Sequence, residues 1–170
     1  MAMRKVVMNL AVSLDGYIAG PNGEYDWCFA DDDYGMTDFL KSVDATLMGG
    51  KSYRLVIAGG EPYPEFTNYV FTRTEKQTPY ENVVLVSAEI VDFVRELKEK
   101  KGKNIWLFGG GEIIQQLLQE NLIDEMMLAV HPILLGRGLP LFRELDERKK
   151  FRLSDTITYP TGLVQLIYKT

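Results

Sequence analysis

A short apolar run that breaks into three glycines constrains this chain more than any other stretch. Ile105–Phe108 is apolar, Gly109–Gly111 follows, and an amphipathic pattern begins at once behind the glycines. This combination predicts a buried strand that turns directly into a helix. Glycine permits a tight turn and lets a ligand approach bare backbone. Because the first helical amides lack partners and lie at the positive end of the helix dipole, the turn suits a phosphate or pyrophosphate.

The same design occurs earlier in the chain. Ala45–Met48 is a short apolar run, Gly49–Ser52 supplies two glycines, a lysine and a hydroxyl, and a helical pattern follows. Glycines in such turns also serve packing alone, and that alternative stays open for each turn. The triple-glycine turn is neither the spaced dinucleotide fingerprint nor the lysine-containing loop of nucleoside triphosphatases. The pair therefore indicates a phosphate-bearing ligand whose kind is open.

The remaining elements predict an α/β protein. Further strands are predicted over 5–12, 69–74, 83–86 and 125–130, and a helix over 88–100 with Ser87 as its N-cap. Strands separated by helices imply parallel neighbours. The last segments, 151–159 and 163–169, alternate in polarity and predict an antiparallel hairpin. Ligands of such sheets bind beyond the carboxyl ends of the strands, where both glycine turns fall.

Composition bounds the class of protein. The 170 residues predict one domain over 1–170, and the net charge of −5 argues against binding to nucleic acid or to an anionic membrane surface. One cysteine and one histidine exclude an internal disulfide and any metal-ligand spacing. The start of the chain shows no leader pattern, and no apolar run is long enough to cross a membrane. We expect a cytoplasmic protein without a metal.

The loop after the first strand and the segment behind it hold further candidates. Residues 13–23 are rich in glycine and polar turn residues, and functional groups often lie on such loops. Asp31, Asp32 and Asp33 precede a helical pattern, where one aspartate suffices as a cap and a spare carboxylate could face an aromatic pocket beside Trp27 and Phe29. His131, next to a proline at a strand end, is expected to be structural.

Four pieces of the sequence, in order, resemble the dihydrofolate reductase fold. They are Ser-Leu-Asp-Gly-Tyr-Ile-Ala at 13–19, Leu-Met-Gly-Gly-Lys-Ser-Tyr at 47–53, Phe-Gly-Gly-Gly-Glu-Ile at 108–113 and Pro-Ile-Leu-Leu-Gly-Arg-Gly-Leu-Pro-Leu-Phe at 132–142. They are most similar to the branch with the reductase domain of bacterial riboflavin biosynthesis, from about Arg4 to Lys169. The resemblance implies a three-layer fold: a mostly parallel eight-stranded central sheet, an antiparallel C-terminal hairpin and flanking helices.

The resemblance also implies NADPH as cofactor and assigns residues to its parts. The residues at the nicotinamide would be Ala11 and Ile18. A mobile loop that closes over the nicotinamide would contain Ser13, Asp15, Gly16 and Tyr17. The pyrophosphate and adenosine side would be met by Gly49, Gly50, Lys51 and Ser52, and the 2′-phosphate by Thr72 and Arg73. The turn under the pyrophosphate would comprise Phe108, Gly109, Gly110, Gly111, Glu112 and Ile113.

The sequence departs from the family pattern at two places. Relatives usually carry arginine where Gly50 stands, which leaves Lys51 and Arg73 to supply positive charge for the 2′-phosphate. The arginine that binds the glutamate of folate has no clear counterpart. Asp32 falls in the place of the acidic residue that supports proton donation, with Asp31 and Asp33 as its neighbours.

Together these features predict an NADPH-dependent reductase. It would deliver hydride to a C=N or C=O carbon of a small pterin- or pyrimidine-like heterocycle, with Trp27 and Phe29 as pocket walls. Asp32, or a water that it polarises, would supply the proton. The alternative is a nucleotide-binding sensor or interaction protein of the same fold without turnover, and a weaker one is a purely structural dimer subunit. The resemblance implies a homodimer through the C-terminal strands.

Overall fold

The structure, a computed structural model, describes residues 3–170, so the expected absence of a leader falls partly on residues outside the described ones. The chain contains four helices and ten strands within this range. The helices are α1 (Met36–Ser42), α2 (Gly50–Ala58), α3 (Ile90–Glu99) and α4 (Gly111–Gln119). The strands are β1 (Val6–Ser13), β2 (Tyr17–Ala19), β3 (Val43–Gly49), β4 (Thr67–Phe71), β5 (Val83–Val86), β6 (Asn104–Gly109), β7 (Glu125–His131), β8 (Leu139–Pro140), β9 (Arg152–Thr158) and β10 (Val164–Lys169).

Eight strands form one sheet in the order β5-β4-β3-β6-β1-β7-β10-β9. The six strands from β5 to β7 are mutually parallel, and β10 and β9 run antiparallel to their neighbours. The predicted fold class, a mostly parallel eight-stranded sheet with an antiparallel C-terminal hairpin, is therefore confirmed. Because parallel strands end at one edge, the turns after β3 and β6 become neighbours.

Helices cover both faces of the sheet. Ile114 and Leu117 of α4 and Val94 and Leu97 of α3 pack on the side chains of β1, β3 and β6 that point to one face. On the other face, Phe39 of α1 packs edge-on against Trp106, with ring centroids 5.3 Å apart. Tyr53 of α2 joins the same side through β3 and β4. The central parallel strands are thus covered by helices on both faces, which explains why β1 and β6 read as mostly apolar runs.

Two local predictions were wrong. The strand predicted to reach Thr74 ends at Phe71, so Thr72 and Arg73 lie in the following loop. The helix predicted to start behind Ser87 begins at Ile90, and its N-cap Glu89 makes no side-chain capping bond. In both cases polar residues next to the element do not share its backbone hydrogen bonds: the strand ends before Thr72, and the helix begins after Ser87.

A two-stranded sheet outside the main one was not predicted. β2 pairs antiparallel with β8, and Tyr17 lies opposite Pro140. The strands are too short for a periodic signal, and more than a hundred residues separate them. This pairing brings the loop after β1 and the loop after β7 together above one edge of the main sheet.

The amino ends of the strands are held by buried charge. Asp124 accepts hydrogen bonds from Lys98 Nζ at 2.7 Å and from the Val6 amide at 2.7 Å. The Lys98 side chain is only 8% exposed, so this carboxylate is its main compensation. These groups lie at the edge opposite the glycine turns, and we assign them to stability.

No helix among residues 3–170 is both long enough and apolar enough to span a bilayer.

Candidate functional site

A cleft of about 1110 Å³ opens at the carboxyl ends of the parallel strands. One wall is formed by the turn from β3 into α2 and the turn from β6 into α4. The other wall comes from the end of β1, from β2 and β8, and from the loops around residues 23–28 and 61–64. This is the location predicted for a ligand of a parallel sheet.

The two glycine turns converge inside the cleft. A Cβ atom built on Gly110 would lie 3.8 Å from Ser52 Oγ, and one built on Gly50 would lie 3.2 Å from Thr72 Oγ1. Gly110 has a φ of 93° and is the N-cap of α4, and Gly49 is the N-cap of α2. The free first-turn amides of both helices therefore border one space. Two positive helix ends at one place favour an anion with more than one charge.

Three cationic side chains line this part of the cleft: Lys51, Arg73 and Arg143. Arg143 was not predicted. Its Nε lies 3.1 Å from the position of a Cβ on Gly111, so its guanidinium stands over the first turn of α4. The nearest counter-charge is a Glu112 carboxylate oxygen, 3.8 Å from Arg143 Nη1. A cation at a helix N-terminus opposes the helix dipole, and an anion placed between the two relieves that repulsion.

Most of the predicted cofactor-binding residues line the cleft. These are Ala11, Ile18, Gly49, Gly50, Lys51, Ser52, Thr72, Arg73, Phe108, Gly109, Gly110, Gly111, Glu112 and Ile113. Residues that line it without having been predicted include Tyr25, Cys28, Tyr63 and Arg143. The role of each predicted residue in binding a cofactor stays a prediction.

The predicted closing loop does not line the cleft and is tied down by hydrogen bonds. Ser13 is buried, and its hydroxyl donates to Asp15 Oδ1 at 2.6 Å and accepts the Tyr17 amide at 2.9 Å. Asp15 also accepts the amides of Leu135 and Gly136 at 3.1 and 2.7 Å. The Ser13 hydroxyl is the main cause of the lowered pKa of the Asp15 carboxyl; desolvation opposes it, and the two amides add smaller contributions to the lowering. Asp15 therefore fastens the loop after β1 to the loop after β7.

Trp27 and Phe29, the predicted pocket walls, pack against His131 instead of lining the cleft. The ring centroids of His131 lie 5.3 Å from Trp27 and 4.9 Å from Phe29. His131 Nε2 accepts the Phe29 amide at 3.1 Å, and Nδ1 lies 2.9 Å from the Ala129 carbonyl oxygen, so both ring nitrogens of this buried side chain are used. The geometry agrees with the structural role expected for His131.

The three aspartates before α1 are exposed and lie outside the cleft lining. Asp33 accepts the Thr37 amide at 3.0 Å and the Thr37 hydroxyl at 2.5 Å, so it satisfies a free amide in the first turn of α1, whose N-cap residue is Gly35. The Thr37 hydroxyl is the main cause of the lowered pKa of Asp33. Asp31 accepts the Tyr34 hydroxyl, and Asp32 accepts the Asp33 amide. The catalytic role of Asp32 stays a prediction, and in this arrangement its carboxylate lies on the exposed surface outside the cleft lining.

The wall opposite the glycine turns is mainly apolar and aromatic. Tyr63 lies among aromatic rings, 5.0 Å from Trp106 between centroids, and burial raises the pKa of its phenol. Cys28 is half-buried, and burial followed by the charge of Asp26 raises the pKa of its thiol to about 11. Both groups are therefore protonated at neutral pH, as hydrogen-bond donors that line the cleft.

Comparison with known proteins places this geometry in context. The family model of the RibD C-terminal domain matches residues 4–165. The uncharacterized protein YyaP of Bacillus subtilis is 37% identical over 178 residues, covering 97% of this chain and 94% of YyaP. A solved structure from Shewanella sp. PV-4, described as a candidate riboflavin biosynthesis protein, is 33% identical with a TM-score of 0.86 and covers 97% of this chain and 98% of that one.

A more distant structure shares the fold alone. The diaminohydroxyphosphoribosylaminopyrimidine deaminase/5-amino-6-(5-phosphoribosylamino)uracil reductase of Thermotoga maritima is 15% identical with a TM-score of 0.74. The match covers 98% of this chain and 56% of that protein.

Proposed function

The chain belongs to the RibD C-terminal domain family, and from this membership and its cleft we propose that it is an NADPH-dependent reductase. The observation that carries the proposal is the convergence of two glycine-started helices and three cations at the carboxyl edge of the sheet. Such a site fits a dinucleotide whose phosphates lie next to bare backbone. The distant dihydrofolate reductase of Aedes albopictus, 25% identical over 129 residues, supports the same reaction class.

The residues present fit the proposed cofactor. The amides at Gly110 and Gly111, with Arg143 above them, would hold the pyrophosphate, and the turn at Gly49 would complete that side. Thr72 and Arg73, behind β4, would meet the 2′-phosphate. When bound, NADPH supplies a hydride to a C=N or C=O carbon of a small heterocyclic substrate.

The chain's own contribution is orientation, exclusion of water and a proton. Ala11 and Ile18 offer an apolar surface at the end of β1, and Leu139 of β8 lies over the same side of the cleft. For Asp32 to deliver the proton, its exposed segment would have to move onto the cleft. The phenol of Tyr63 lines the cleft as it stands, and burial raises its pKa, so it would serve as a hydrogen-bond donor to the substrate but is a weak acid for the proton itself.

A second function, nucleotide binding without turnover, has one specific observation in its favour. The carboxylates expected to serve catalysis, Asp31 to Asp33, are engaged with neighbouring groups on the exposed surface. A protein of this kind would bind NADPH through the glycine turns and reduce nothing.

We also propose that the chain forms a homodimer through its C-terminal strands. β9 is an edge strand, and all seven of its residues are exposed, Leu153 and Ile157 among them. A long exposed edge strand invites pairing with another chain. Light scattering should give twice the monomer mass, and Ile157→Lys should lower it; a wild-type monomer at high concentration would exclude this proposal.

The test of the reductase proposal starts with binding. NADPH and NADH are titrated while quenching of tryptophan fluorescence is followed, and we expect NADPH to bind more tightly because Lys51 and Arg73 line the cleft. Loss of absorbance in the reduced-nicotinamide band is then screened with pterin and pyrimidine substrates. Absence of binding by either nucleotide would refute both functions, and binding without turnover would favour the second.

Two glycine variants control for backbone strain. Gly110 and Gly136 both have positive φ, 93° and 75°, so a side chain strains either position. Only Gly110 lines the cleft. Gly110→Val should lose NADPH affinity while Gly136→Val keeps it; equal affinities would show that the ligand does not approach Gly110.

A further inference from the structure

The cleft has two halves that differ in charge. The phosphate half surrounds the two glycine turns and holds Lys51, Arg73 and Arg143. The substrate half, defined by Ala11, Tyr25, Cys28, Glu61, Tyr63 and Leu139, lies on the side of β1, β2 and the 61–64 loop. Among the described residues, no lysine or arginine lines this second half.

Lys51 is the cleft-lining cation nearest in sequence to the 61–64 loop, and it belongs to the phosphate half. It lies in the first turn of α2, and helical side chains lean toward the N-terminus of their helix, here toward Gly50. Gly59, where α2 gives way to the 61–64 loop, follows eight residues later, about 12 Å along the axis. That distance exceeds the reach of a lysine side chain that leans the other way.

The charges that do lie in or beside the substrate half are negative. Glu61 lines it, and Asp26 is close enough to Cys28 to raise the pKa of that thiol, second only to burial. The hydrogen-bonding groups on offer include the Tyr25 and Tyr63 phenols and the Cys28 thiol, none of which carries a positive charge. An anionic group entering here would lose hydration and meet negative charge, with only neutral hydrogen-bond donors to compensate.

We propose that the substrate half takes a carbonyl or imine compound that carries no phosphate and no carboxylate group. The inference rests on the proposed reductase function and narrows its substrate. An anion without a cationic partner in a partly buried site binds more weakly than a neutral analogue of the same shape, because its lost hydration is not replaced. A phosphoribosyl substrate, such as the one in the name of the Thermotoga maritima reductase, would need a cation that this half lacks.

The test compares substrates that share the reducible ring and differ in charge. 6-Methyl-7,8-dihydropterin is neutral, and dihydrofolate adds a tail with two carboxylates. Isothermal titration calorimetry on the wild-type protein, without cofactor and then with NADP⁺, should give at least about a 10-fold lower Kd for the neutral compound. A second pair, 5-amino-6-ribosylaminouracil and its 5′-phosphate, should rank the same way.

Leu139→Arg provides the reverse experiment. Leu139 belongs to the substrate half and is 44% exposed, so an arginine there would introduce the missing cation without a cost in core packing. The preference for the neutral compound should shrink or reverse. Leu134→Arg, at a 70% exposed leucine outside the cleft lining, should leave the preference unchanged.

The outcomes separate this inference from the function on which it rests. Equal or tighter binding of the anionic members, or no binding of either neutral compound to a protein that binds NADPH, would overturn it. A protein that binds no NADPH would fail the reductase proposal in a separate titration, whatever the ranking of the pterins.

Discussion

Replacing Arg143 by glutamine tests the assignment of the phosphate half most directly. Its guanidinium stands over the first turn of α4, with Nε 3.1 Å from the position of a Cβ on Gly111. A hydrogen bond to a charged group contributes about 1.5–3 kcal/mol. Because the Arg143 side chain is 41% exposed, solvent screening favours the lower end, and a loss of about 1.5 kcal/mol corresponds to about a 10-fold higher Kd for NADPH.

The assay is equilibrium binding of NADPH at two salt concentrations, with unfolding curves to show that the variant is folded. The wild-type affinity should fall more steeply with salt than that of Arg143→Gln, since the lost contact is ionic. Arg137→Gln is the matched control, because Arg137 is exposed just before β8 and does not line the cleft. An Arg143→Gln affinity within about twofold of wild type, at a precision well below the 1.4 kcal/mol of a tenfold change, would refute the assignment.

Replacing Glu112 should change the NADPH affinity in the opposite direction. Its carboxylate lies 3.8 Å from Arg143 Nη1 and would repel an incoming pyrophosphate. Glu112→Gln should therefore tighten NADPH binding, and in the double variant with Arg143→Gln the gain should be smaller, because part of it comes from releasing the guanidinium. A weaker affinity of Glu112→Gln would mean that this carboxylate contacts the ligand as an acceptor.

Three further predictions concern groups outside the phosphate half. Asp15→Asn should speed hydrogen exchange at the Leu135 and Gly136 amides, which this carboxylate accepts. Because the pKa of Asp15 is lowered on folding, its ionised form stabilises the folded loops fully above the unfolded pKa of 3.8, and this stabilisation is lost as the pH falls through the lower folded-state pKa. Cys28 should react with iodoacetamide about 10-fold more slowly at pH 8 than a thiol of pKa 9.0. Its pKa of about 11 lowers the thiolate fraction about 100-fold, and the greater nucleophilicity of the more basic thiolate offsets part of that loss; mass spectrometry across pH would detect an ordinary rate as the contrary result. Asp124→Ala should destabilise the fold by about 3 kcal/mol in denaturant unfolding, since it strands the buried Lys98, whereas a loss below about 1 kcal/mol would show that water already compensates that charge.

Sequence reasoning worked where the physical cause is local. The apolar run at Ile105–Phe108 and the glycines behind it predict a strand and a helix start, and the structure has β6 and α4 there. The rule that parallel strands end together then predicts the convergence with Gly49–Gly50, although about sixty residues separate the two turns. The parallel order of the strands was therefore enough to predict that the two turns are neighbours, without any signal for a direct contact between them.

Sequence reasoning failed where contacts between distant segments decide. Nothing near Arg143 indicates that the chain returns over Gly111; the proline- and glycine-rich stretch before it signals a turn, and only β2–β8 pairing directs it to the cleft. Trp27 and Phe29 are predicted as pocket walls, yet His131 engages both rings and the Phe29 amide, and a role of either ring in substrate binding stays a prediction. The expected structural role of His131 was the one indication in the sequence, because a buried imidazole needs neighbours that pack against it and hydrogen-bond to it.

The position of β6 in the sheet has a consequence for the order in which the chain matures. β6 lies between β3 and β1, and the first strand-to-strand partners of β1 are residues 105–107 of β6, followed by 125–131 of β7. On the ribosome, β1 therefore has no neighbour in the main sheet until more than a hundred residues have been made. The nascent chain must carry exposed strand edges through that interval, a state prone to aggregation. Since both glycine turns are needed to form the phosphate half, no ligand that binds to both turns can stabilise the growing chain before β6 has inserted.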